Sequence, residues 1–174
     1  MRSTVKQLTL AAAIYIVTAA SSASAHHSHP LTYDWCRTTT IEGRVEKVEF
    51  KEPHSLVSFR LDNGTLWTVD WNPLALLKNS GLLDPAQKAL VFGARIAVTG
   101  APIRTLAEMR QHFPDYNTEP DPNTIDPASI RRVDDSWSWG VNSQEPQPAG
   151  NPGAGLCDVY KRLTAAKADS KAVK

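Results

Sequence analysis

From Thr38 onward the chain alternates apolar and polar residues in short runs broken by turn signals. The first run, TTTIEGRVEKVEF, places Ile41, Gly43 and Val45 on one parity and Val48 and Phe50 on the other. A strand cannot change its buried face without an extra residue, so a β-bulge is expected near Glu46-Lys47. HSLVSFRL then alternates with Val57, Phe59 and Leu61 on one face. Asp62-Asn63-Gly64 is a hairpin turn signal, and TLWTVDW follows with Trp67, Val69 and Trp71 in register. Asn72-Pro73 predicts a short helix, with Asn as its N-cap and Pro at its first position. Asn79-Ser80-Gly81 closes that helix, and a second helical turn starts at Asp84-Pro85. GARIAVTG reads as a fourth strand with Ile96 and Val98 on one face.

Beyond Pro102 the alternation degrades. TLAEMRQHF has helical character, PDYNTEPDPNTIDP is too rich in Pro, Asp and Asn to assign, and SIRRVDDSWSW is a weak fifth strand. Three meander strands, a short helix and one or two further strands follow the order of an OB-fold. The expected fold is therefore mainly β: a small, partly open OB-fold-like barrel with one short helix, an irregular insert and a tail. Trp67, Trp71, Phe50 and Phe59 would fill its interior. The barrel domain spans residues 26–140 with the insert near 103–128, and 141–174 form a Pro/Gly linker and a C-terminal tail.

Residues 1–25 read as a signal peptide. Arg2 and Lys6 precede an apolar run from Leu8 to Ala20, and Ala23-Ser24-Ala25 is a small-x-small cleavage site. The run falls short of the about 20 residues a bilayer-spanning helix needs, so no stable membrane span is expected after cleavage. This predicts a bacterial periplasmic or secreted protein whose mature chain starts at His26. The full chain of 174 residues carries 19 Lys plus Arg against 18 Asp plus Glu. Processing would remove two of the cations. That balance lacks the basic footprint of nucleic-acid binding. The two cysteines, Cys36 and Cys157, suit one disulfide in an oxidising compartment. It would tether the tail to the segment just before the first strand. No Cys-x-x-Cys or Cys-x-x-Cys-His motif is present, which argues against a thioredoxin-like site or covalent haem.

Several short motifs carry a family resemblance. They are His26-His27-Ser28, Gly43-Arg44-Val45, Pro53-His54, Trp67, Asn72-Pro73-Leu74 and the run Gly93 to Pro102. In that order they resemble the exported bacterial proteins of the domain of unknown function 6152 family, over roughly residues 26–102. The resemblance implies an exported address and this fold, and no particular activity. Glu52 stands where the family usually has Asn, and the segment from Ile103 to Pro127 and the cysteine-tethered tail are atypical.

The candidate chemistry lies in five histidines: His26, His27, His29, His54 and His112. A free α-amine and the Nδ1 of His26 can chelate one metal together, and a third imidazole completes a T-shaped site. His54 is the candidate third ligand, because its even parity turns it away from the face of Val57 and Phe59. His27 or His29 could replace or assist it. Such donors suit copper, zinc or nickel, and the Irving–Williams order favours copper. The histidines after the cleavage site read more readily as a polar arm, and Tyr33 and Trp35 could pack that arm onto the barrel. Asp62, Asp70 and the pair Asp134-Asp135 read as solvated faces and turns. Trp137 and Trp139 form a candidate contact surface, or a cover for the core. No nucleophile elbow, phosphate loop or His-Glu-x-x-His motif occurs, so the reading favours a binding module over an enzyme. Its partner would be a metal ion or an envelope protein. The alternatives are a metal-free structural or interaction barrel and, more remotely, a copper-dependent oxidase.

Overall fold

A computed structural model describes residues 29–140, 157–158 and 161–162. The elements run α1 (His29–Thr32), β1 (Thr39–Glu49), β2 (Ser55–Arg60), β3 (Leu66–Trp71), α2 (Leu74–Asn79), α3 (Leu83–Ala89), β4 (Arg95–Pro102), α4 (Leu106–Arg110), β5 (Thr124–Arg132) and β6 (Ser138–Gly140). Sheet order is β3-β2-β1-β4-β5-β6, with a further pairing between β3 and β5. That last pairing is parallel, at Thr68↔Thr124 and Val69↔Ile125, and it closes five strands into a mixed barrel. The barrel is thus closed rather than partly open. β6 is an extra strand laid antiparallel on β5.

β1 serves both halves of the barrel. Its first residues pair with β4, from Thr39↔Gly100 to Arg44↔Arg95. Its later residues pair with β2, from Arg44↔Arg60 to Glu49↔Leu56, and the register slips between Val45 and Lys47. The bulge lies where the parity break predicted it. The extra residue, Glu46, lets Val45 and Val48 both face inward.

The interior is built from Val45, Val57, Phe59, Val69, Trp71, Ile96, Val98, Ile125 and Ile130, with Leu77 from α2 plugging it. Phe59 and Trp71 are buried within it, while Phe50 and Trp67 pack on it partly exposed. Each large apolar side chain fully removed from water contributes about 1.5–3 kcal/mol. A second, smaller cluster lies outside the barrel, where Tyr33 and Trp35 cover Ala101 and Ala128. Ala101 of β4 and Ala128 of β5 are small enough to make room for the two aromatic rings.

Three local readings change. The N-cap of α2 is Pro73, without a side-chain cap bond. Asn72 does not fill that role; the Glu52 carboxylate accepts the Ala75 N–H at 2.7 Å instead. The helical reading of TLAEMRQHF shortens to five residues in α4, started by a capping box between Thr105 and Glu108. β5 begins at Thr124, inside the stretch expected to be irregular. Pro127 sits in it opposite Gly100, next to a register shift between Thr99 and Gly100. Proline tolerates a strand at such an irregularity, where no ladder N–H is required of it. SIRRVDDSWSW is the end of β5, a turn, and β6. Asp135 makes the turn by accepting the Trp137 N–H.

Candidate functional site

His54 ends the loop between β1 and β2, immediately before Ser55 starts β2. That loop is pinned from below, because Leu74 N–H donates to Lys51 O and Ala75 N–H to Glu52. Ser55, Val57 and Phe59 are buried in the barrel, so His54 falls on the outward parity, as expected. On the neighbouring strand Asp70 is also outward, between buried Val69 and Trp71, and faces Leu56 across the pair. Diagonal neighbours of this kind are within reach of a long side chain. Nδ1 of His54 lies 2.7 Å from Oδ1 of Asp70.

Asp70 is not a solvated face residue. Its side chain is 15 % exposed, and Oδ1 is sealed from solvent and makes no hydrogen bond among the described residues, with the imidazole nitrogen standing 2.7 Å away. Its second oxygen accepts a hydrogen bond from the hydroxyl of Tyr33. Tyr33 is 3 % exposed. Burial, followed by the charge and hydrogen bond of Asp70, pushes its hydroxyl far above the ordinary tyrosine range, with Asp126 adding to the effect. Asp126 lies one residue beyond the Val69↔Ile125 pair, and Asp70 holds the matching position on β3.

Tyr33 belongs to the segment that leads from α1 into β1, and that segment is docked along β4. Tyr33 bridges to Ile103. Asp34 N–H donates to Pro102 O, and Arg104 N–H to Thr32 O. Asp34 is buried and accepts the Cys36 N–H at 3.2 Å and the Arg37 guanidinium, with Arg104 Nη2 3.4 Å from its Oδ1. Cys36 then forms a disulfide with Cys157 across a separation of 121 residues. The arm is thus laid on the barrel by Tyr33 and Trp35.

The other sequence candidates fall elsewhere. His26 and His27 lie outside the described residues. His112 is half-buried in the turn after α4. Trp139 meets Trp71 edge-on at 5.0 Å, and Trp137 also packs on the main core. Asp134 and Asp135 pair with Arg132. Among the described residues no group of three or more His, Cys, Asp or Glu side chains is arranged to hold a metal. Among them, too, no helix is long and apolar enough to cross a membrane. At another part of the surface, Phe92 is 83 % exposed. It stands beside a cavity of about 270 Å³ that Arg44, Arg60 and Asp62 help to line.

Sequence reasoning missed Asp70 as the partner of His54 and Tyr33 as the partner of Asp70. Their signal was present as Asp70 alternating with Val69 and Trp71, but it needs the β2–β3 register and the course of the arm to be read.

These features define a small closed β-barrel of OB type with an aromatic arm docked on its outside. The chain belongs to the family of unknown function DUF6152, whose model matches residues 12–109. The match runs through β4 and ends inside α4; β5, which closes the barrel, lies beyond it. Comparison with curated proteins gave no match.

Proposed function

We propose that the protein is an exported, periplasmic binding module that holds a transition metal, copper before zinc or nickel, through an N-terminal histidine and His54. Cleavage after Ala25 frees the α-amine of His26, which joins its own Nδ1 as a chelate, and His54 supplies a further imidazole, with His27 as a substitute. The observation that carries this reading is the Nδ1 of His54 held 2.7 Å from Asp70. Metal-binding histidines commonly direct their second nitrogen to a carboxylate in this way. The docked arm supports it as well, because the Asp70 carboxylate that meets His54 also receives Tyr33, only seven positions after His26. An arm already ordered up to that point needs less further ordering to close a site.

The competing reading is a metal-free interaction barrel, and exposed Phe92 beside its cavity favours it. Copper(II) titration separates the two. Protein beginning at His26 is compared with protein carrying one extra Met before His26 and with His54→Ala. The metal reading expects tight binding in the first and a loss of at least about tenfold in the other two. Equal, weak binding by all three leaves the interaction barrel.

A further inference from the structure

Tyr33 of the arm and His54 of the β1–β2 loop meet on one carboxylate. Oδ2 of Asp70 takes the Tyr33 hydroxyl and Oδ1 faces Nδ1 of His54. We propose that Asp70 is a positioning residue that couples docking of the arm to the donor state of His54: it fixes the imidazole as the Nδ1–H tautomer, so that the ring's lone pair stays on Nε2. The inference rests on the metal-binding reading for its use, and on local geometry for its substance.

The 2.7 Å separation favours a proton on Nδ1. Oδ1 is closed to solvent and no other donor reaches it among the described residues. A sealed carboxylate oxygen left without a donor is expensive, whereas an N–H turned onto it from Nδ1 would satisfy it with a charge-assisted bond. The opposite tautomer would turn a lone pair toward the carboxylate at 2.7 Å. A neutral imidazole protonated at Nδ1 keeps Nε2 as its metal-binding atom.

Tyr33 makes this arrangement depend on the arm. Its hydroxyl holds the other oxygen of Asp70, and Tyr33 itself is fixed by the bridge to Ile103 and by the neighbouring Asp34 N–H bond to Pro102 O. Lifting the arm removes that O–H and frees the carboxylate to rotate away from His54. By linkage, a metal that binds better to the oriented His54 also favours the docked arm, by the same factor. The arm is then more than a carrier of the N-terminal residues, since its docking sets the donor atom at the far ligand.

The test begins without metal. Long-range ¹H–¹⁵N spectra of ¹⁵N-histidine protein are recorded at about pH 8, where imidazole is ordinarily neutral. The inference expects His54 as a pure Nδ1–H tautomer in the wild type, a partial loss of that preference in Tyr33→Phe, and release in Asp70→Ala. A wild-type spectrum showing the Nε2–H tautomer overturns it, and that reading requires no variant to fold. Copper(II) titration of the same proteins, each beginning at His26, should show about 10- to 100-fold weaker binding in Asp70→Ala. Tyr33→Phe should lose less, and both should move as their tautomer signals move. Unchanged affinity in both variants, with the wild type binding tightly, overturns the coupling. No copper binding by the wild type, with the Nδ1–H tautomer present, removes the metal reading and upholds the tautomer assignment.

Discussion

Gly100 and Pro127 face each other across β4 and β5, and a Cβ at position 100 would stand 2.1 Å from the carbonyl oxygen of Asp126. The obstacle is the backbone of β5, with the Pro127 Cα only 2.9 Å away. The strands approach this closely because one residue has no side chain and the other needs no ladder hydrogen bond. Gly100→Ala must therefore push β5 away from β4 at the point where the barrel turns. Its chemical-denaturation midpoint should fall by the equivalent of about 3 kcal/mol, the upper end for overpacking. Gly64→Ala, in an open hairpin turn at φ 86°, should lose about 1 kcal/mol.

Glu52 caps a helix that its own segment does not belong to. Its carboxylate accepts the Ala75 N–H at the start of α2, and this holds the loop that carries His54. Glu52→Ala should lower stability by about 1 kcal/mol, the usual worth of a side-chain cap, in a thermal-unfolding comparison. Glu52→Asn should recover part of it.

The capping box at α4 gives the fold an acid-sensitive element. The Thr105 backbone N–H, followed by its hydroxyl and then Arg37, holds Glu108 below its ordinary value of 4.5. A depressed carboxylate stabilises the fold fully above its unfolded pKa. That contribution drains away as pH falls from about 4.5 through the lower folded value. Glu108→Gln should be slightly less stable at neutral pH, by under about 1 kcal/mol for so exposed a group. The deficit should shrink on acidification in parallel urea titrations.

The disulfide and the docking of the arm are separable. Cys36 and Cys157 close a loop of 121 residues, worth up to about 4–5 kcal/mol in the chain-entropy model. The arm is nonetheless anchored by Tyr33, Trp35 and the backbone bond from Asp34 to Pro102. A Cys36→Ser, Cys157→Ser double variant should lose several degrees or more of melting temperature. Hydrogen exchange should still protect the Asp34 and Arg104 amides in it.

Most of the barrel was legible because its signals are local. The bulge at Glu46 follows from a change of parity within one run, and the hairpin at Asp62-Asn63-Gly64 from residues suited to that turn. β5 was obscured because Asp126 and Pro127 are poor strand residues in isolation; what admits them is Gly100 on another strand. The candidate site was half legible. His54 could be assigned an outward face from parity alone. Asp70 resembled any polar residue alternating with a core; only the pairing of β2 with β3 sets it beside the imidazole, and only the arm docked along β4 brings the Tyr33 hydroxyl to it.

The most direct measurement is intact mass together with metal content of the protein exported by its own leader and purified without added metal. The account predicts a mass beginning at His26 and close to one equivalent of copper, lost in His54→Ala. A chain that starts at any other residue, or one that starts at His26 and carries no metal even after copper is supplied, would contradict it.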